Sequence, residues 1–218
     1  MTTASGPARP VGAYLPPRIG SVDVPPPDAA LVAALRAVTG LSSAFSDELD
    51  RIGVRSAVPA SAAPPLRADQ VVIGRAATIR YLPTRTMEAG TGRLAHLTLF
   101  ETITPGDIAV IAAPAEIDAS VLGGRAAEAG VRAGLAGLVA FGAIRDVDEI
   151  VEAGLPAWAR RITPVTGRGR IEAVEINGPI DGAGVQVVPG DVVVADASGI
   201  SFVPAARFAE LAARVLEG

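Results

Sequence analysis

A chain of 218 residues, 50% hydrophobic and with a net charge of −4, can bury the core of one domain and offers no basic face of the kind nucleic-acid binders carry. It has no cysteine and, among its 19 basic residues, no lysine, which excludes disulfides, thiolate chemistry and Schiff bases; a single histidine, His96, excludes a zinc site built on several imidazoles. The tools left for catalysis are carboxylates, guanidinium groups, hydroxyls, backbone amides and a bound hard cation, Mg²⁺ or Mn²⁺, which accepts carboxylate and water oxygens.

Seven of the 18 prolines precede residue 28. Proline fixes φ and removes an amide donor, so residues 1–27 are expected to form an extended arm or a disordered tail, with the domain proper over 28–218. The arm has no basic segment ahead of an apolar one and hence no secretory signal, so the expected location is the cytoplasm. Asp28 is placed to cap a helix in which Leu31, Val32, Leu35 and Val38 recur at helical spacing before Gly40. Residues 46–52 predict a second helix closed by Gly53, and the Ala- and Pro-rich run 57–65 predicts a loop.

Residues 71–81 read as strand, 94–100 as helix or strand, and 108–112 as a buried strand after the turn pair Gly106-Asp107. A helix over 126–133, a strand over 138–141 and a helix over 146–153 follow. This strand–helix alternation implies parallel pairing with right-handed crossovers. After Pro156 the pattern is all β, with strands around 157–159, 173–176, 185–188, 192–195 and 200–203, and a helix over 205–216 closes the chain. Apolar runs such as 138–144 fall far short of the roughly 18 residues that span a bilayer.

Chemistry is expected beyond the carboxyl ends of the parallel strands, where loops leave room and helix N-termini point inward. The loop after 108–112 leads to Gly123-Gly124-Arg125 at a helix start. Paired glycines there either expose amides to a carboxylate or phosphate, or serve as a tightly packed helix entry. The loop after 138–141 carries Arg145 and Asp146, which either clamp an anion and hold a cation, or form a surface ion pair and an N-cap. Gly167-Arg168-Gly169-Arg170 reads as a solvated basic turn.

The run from Gly137 to Ile150, containing Phe141-Gly142-Ala143-Ile144-Arg145-Asp146-Val147-Asp148-Glu149, resembles the signature of RraA-like proteins. That family includes 4-hydroxy-4-methyl-2-oxoglutarate aldolases, regulators of ribonuclease E activity, and proteins once described as menaquinone methyltransferases. The resemblance extends to Ser46-Asp47-Glu48-Leu49-Asp50-Arg51-Ile52-Gly53, to Val72-Ile73-Gly74-Arg75, to Gly154-Leu155-Pro156, and to Val188-Pro189-Gly190-Asp191, covering roughly residues 30–216. It implies an α/β fold, a swivelling β/β/α sandwich, assembled as a homotrimer or homohexamer with sites between protomers.

The resemblance further implies that Asp146 holds Mg²⁺ or Mn²⁺, that Arg145 binds substrate, and that amides over Gly123, Gly124, Arg125 and Ala126 receive a pyruvyl carboxylate. Glu149 fills an acidic place beside them. The implied activity is that of a metal-dependent lyase, an aldolase or an oxaloacetate-type decarboxylase, acting on a small 2-oxo acid through a pyruvate enolate. A different enolate-type reaction and a non-catalytic regulator that acts by protein contact are the alternatives. Two positions depart from the pattern. Aldolase members often carry an acid 21 residues before the arginine, where this chain has Gly124, and Ala112-Ala113-Pro114-Ala115-Glu116 replaces a Gly-rich turn entered by an Asp. His96, Tyr14, Tyr81 and Trp158 are expected to be structural.

Overall fold

The computed structural model describes residues 17–84 and 95–218. The elements, in chain order, are β1 (Arg18–Ile19), α1 (Ala29–Leu35), α2 (Leu41–Arg51), β2 (Ala57–Pro59), β3 (Val72–Pro83), α3 (Ala95–Phe100), β4 (Ile108–Ala112), β5 (Ser120–Leu122) and α4 (Gly124–Arg132). There follow β6 (Gly137–Ile144), α5 (Val147–Glu152), β7 (Ala157–Ile162), β8 (Ile171–Ile176), β9 (Ile180–Asp181), β10 (Gln186–Val187), β11 (Val192–Ala195), β12 (Gly199–Val203) and α6 (Ala205–Glu217).

Strand β3 belongs to two sheets. Its first residues, from Val72 to Arg75, pair antiparallel with β11, and its continuation from Ala76 to Arg80 pairs parallel with β4. From β11 the first sheet runs antiparallel through β12 to β2; from β4 the second runs parallel through β6 to β7. The first eight residues of β3 are all buried, as expected of a strand covered on both faces.

Side-chain alternation along the strands sorts the core into layers. Val110, Val139, Phe141 and Trp158 face Val193, Ile200 and Phe202 between the two sheets, and the rings of Phe141 and Phe202 lie 6.1 Å apart. The intervening residues Ala109, Ile111, Leu138 and Ala140 pack beneath Leu99, Ala127 and Ile150 of α3, α4 and α5. On the far side of the antiparallel sheet, Val192, Val194 and Val203 meet Leu35, Phe45 and Phe208 of α1, α2 and α6. Each such fully buried Leu or Phe contributes about 1.5–3 kcal/mol relative to exposure. The fold is the expected α/β two-sheet sandwich, with helices on both outer faces.

Several local expectations change. Helix α2 starts at Leu41 rather than at 46, because its cap comes from far away: the Asp196 carboxylate accepts from the Ser42 amide at 2.9 Å and from Ser42 Oγ at 2.6 Å. The expected loop 57–65 opens with β2, whose partner is the edge of β12, where Pro59 is tolerated. Residues 95–100 resolve as helix, and the expected strand 185–188 shortens to β10 in a hairpin with β9. Asp28 caps α1 as read from sequence, accepting from the Leu31 amide at 2.9 Å.

Residues 17–27 lie against the domain. β1 pairs parallel with β8, and the Val24 carbonyl accepts from Arg75. Arg75 is itself buried and makes a two-point pair with Asp107, Nε–Oδ1 2.9 Å and Nη2–Oδ2 2.9 Å. Tyr14 lies outside the described residues. No helix among the described residues is long and apolar enough to cross a membrane.

Candidate functional site

The parallel strands bring the two predicted loops together. β6 runs to Ile144, three residues beyond the predicted end, because Gly142 sits inside the strand where even a Cβ would press on Ala113 and Val121 at 3.1 Å. The chain leaves the ladder after Ala112 and returns as β5, a strand with no sequence signal of its own, pairing with Ala143 and Ile144. The Arg145 amide donates to the Leu122 carbonyl at 3.1 Å. Gly123 is therefore set directly beside Arg145 and Asp146.

Asp146 has φ 54° and ψ 48°, the left-handed region, and its side chain makes no capping bond to α5. The N-cap reading thus holds for its position and fails for its carboxylate. Its Oδ2 lies 3.2 Å from Arg145 Nε, and both side chains remain partly exposed. A Cβ on Gly123 would lie 2.8 Å from Asp146 Oδ2 and 3.0 Å from Arg145 Nε, so this glycine admits both side chains.

Helix α4 begins at Gly124, two residues earlier than predicted. The amides of Ala126 and Ala127 both donate to the Gly123 carbonyl at 3.0 Å, which removes Ala126 from the expected anion-binding set. Those of Gly124 and Arg125 donate to no described group and stand at the positive end of the helix. The Arg125 side chain is exposed and forms no ion pair among the described residues; Glu128, the surface partner it would otherwise take, lies 3.6 Å from Arg132.

Glu149, in the first turn of α5, folds back onto Gly124. A Cβ at 124 would fall on its Oε2 and its Cβ, and 2.8 Å from its Cδ. The place where the resemblance implies an acid thus holds a carboxylate supplied from another helix.

Arg160 and Arg161, at the end of β7, were not singled out from sequence. Arg161 donates to the Ala115 carbonyl at 2.6 Å and so ties down the altered loop after β4, while Arg160 donates to the Phe141 carbonyl of β6 at 3.2 Å. Their position at the end of a strand parallel to β6 was the available signal. His96 is buried against Phe100, Tyr81 is buried, and the Trp158 indole donates to the Asp196 carbonyl at 2.9 Å. A cleft of about 900 Å³ opens elsewhere, between α2, β2 and the turn at Gly184 and Val185, and none of the strand-end residues lines it.

No three His, Asp or Glu side chains converge among the described residues. Asp146 and Glu149 nevertheless offer hard oxygen donors over one glycine pair whose missing Cβ atoms make the room. Two solvent-facing carboxylates leave most of a coordination sphere to water, the mode Mg²⁺ adopts, so the residues present fit such a cation.

The RraA-like family model, described as Aldolase/RraA, matches residues 42–201. The crystal structure of Streptomyces coelicolor RraAS2, described as an unusual member of the RNase ES inhibitor RraA protein family, superposes with a TM-score of 0.76 at 29% identity, covering 88% of this chain and 92% of that one. Protein DlpA of Legionella pneumophila is 29% identical over 170 residues, which are 78% of this chain and 27% of DlpA. A Halalkalibacterium halodurans protein carrying the provisional name 4-hydroxy-4-methyl-2-oxoglutarate aldolase is 31% identical over 141 residues, 64% of this chain and 63% of that protein. The chain therefore spans about a quarter of DlpA and just under two thirds of the Halalkalibacterium halodurans protein. The family match takes in both sheets and the strand ends bearing Arg145 and Asp146, and on it this chain belongs to the RraA-like family.

Proposed function

We propose that the chain is a divalent-metal-dependent carbon–carbon lyase acting on a 2-oxo acid, by aldol cleavage or oxaloacetate-type decarboxylation. The observation that carries this reading is Asp146, held in left-handed backbone beside Arg145 and against Gly123, where α4 opens with two amides that donate to no described group. Asp enters that region more readily than most non-glycine residues yet still uncommonly, and such a conformation kept without a capping bond is characteristic of functional positions.

In either reaction the electron pair of the breaking C–C bond passes into the 2-oxo group, so negative charge develops on that oxygen as the pyruvate enolate forms. Arg145 presents a fixed cation to the substrate, and the amides of Gly124 and Arg125 receive its carboxylate. Arg125, exposed and without an ion pair among the described residues, meets a further anionic group. A bound Mg²⁺ or Mn²⁺ supplies Lewis-acid stabilisation of the enolate oxygen. No lysine is required.

The aldolase name of the Halalkalibacterium halodurans relative supports this reading. The altered loop from Ala112 to Glu116 favours a substrate of its own, within the same enolate chemistry. A second reading, regulation by protein contact, draws on the likeness to the Streptomyces coelicolor RNase ES inhibitor family member. Pyruvate release from oxaloacetate and from 4-hydroxy-4-methyl-2-oxoglutarate, with Mg²⁺ and with chelator, tests the two. Mg²⁺-dependent release supports the lyase; a folded protein that releases none and binds an RNase E-type enzyme supports the regulator. The active species is proposed to be a homotrimer or homohexamer, and light scattering that finds an active monomer would refute this.

A further inference from the structure

We propose that Glu149 is the second carboxylate of the cation site and reaches it through the volume a side chain at position 124 would fill; this rests on the reading of Asp146 as a cation ligand. Gly124 is a buried residue at the first position of α4, and any Cβ there collides with both the Cβ and the carboxyl group of Glu149. Gly123 makes the same allowance for Asp146 Oδ2. The two consecutive glycines thus each yield their side-chain space to one carboxylate from the facing turn, where Asp146 and Glu149 are separated by one turn of helix.

The packing of Glu149 is otherwise unexplained. Among the described residues no group donates to its carboxylate and no arginine pairs with it, although a glutamate at an exposed helix position is free to extend into water. Folding it back orders a side chain rich in rotamers, which opposes that placement. A hard divalent cation offsets this cost, because it takes carboxylate and water oxygens together. Glutamate is long enough to enter this space from α5, and no acid on α4 can share it while Glu149 is there.

The test is Mn²⁺ binding to the full chain, followed by the paramagnetic resonance signal of free Mn²⁺, with melting curves to monitor the fold. Glu149→Gln, nearly the same shape, is expected to weaken binding roughly 10–100-fold, the effect of losing a carboxylate that supports a metal site. Gly124→Ala keeps both carboxylates yet displaces Glu149, and is expected to weaken binding in the same direction. Adding Gly124→Asp to Glu149→Gly, which removes the colliding Cβ and returns a carboxylate from α4, is expected to bind Mn²⁺ more tightly than Glu149→Gly alone. Wild-type binding that Asp146→Ala abolishes and Glu149→Gln leaves unchanged overturns this inference and leaves the reading of Asp146 standing. A wild-type chain that does not bind Mn²⁺ overturns both.

Discussion

Arg145 Nε and Asp146 Oδ2 lie 3.2 Å apart although the two residues are consecutive at the end of a strand. Neighbours in a regular strand point to opposite faces; the left-handed turn at Asp146 brings these two to one side. Asn tolerates that backbone whereas Ala does not. Asp146→Asn is therefore expected to lose Mg²⁺-dependent pyruvate release at unchanged Tm, and Asp146→Ala to lose it together with about 1 kcal/mol of stability. Turnover assays with urea unfolding check both, and chelator-resistant activity in either variant would sink the metal reading.

The guanidinium of Arg125, exposed and without an ion pair among the described residues, follows directly on the glycine pair, of which Gly123 faces Arg145. Arg125→Leu is expected to lower kcat/KM on a dianionic 2-oxo acid roughly tenfold or more, the size of a charge-assisted contact, with a much smaller loss on a monoanion. Equal losses on both substrates would show that Arg125 does not read substrate charge.

The buried pair of Arg75 and Asp107 also holds Thr104 and the Val24 carbonyl. Removing one partner strands the other charge in the core, which costs about 3–5 kcal/mol. Arg75→Met is expected to lose stability on that scale. Arg75→Met with Asp107→Asn is expected to lose less, because the amide oxygen still accepts from Thr104 and no charge is left buried. Urea unfolding of the four proteins in the cycle gives the coupling, and additive losses would contradict this account.

Burial lowers the His96 pKa from its ordinary 6.5 to about 4. Between those values the unfolded chain binds the proton and the folded one does not, so stability falls as pH drops through this window. The share due to His96 is on the order of 3 kcal/mol by pH 4. His96→Leu is expected to flatten the stability profile between pH 6.5 and 4 relative to wild type; parallel profiles would show that His96 titrates as an exposed histidine does.

What the sequence by itself determined is what depends on near neighbours. The cap of Asp28 on Leu31, the buried runs that become β4 and β6, the closing helix α6, and Arg145 next to Asp146 after a strand were all legible there, as was the RraA-like signature. Tertiary structure decided whatever depends on residues distant in the chain. Asp196 starts α2 from 154 positions away. β5 has three residues and is paired along β6, which is how Gly123 comes to face Arg145. The absent acid at Gly124 read as a loss in one dimension; in three, the carboxylate of Glu149 fills that space, because two helices whose starts adjoin can exchange a side chain for a gap.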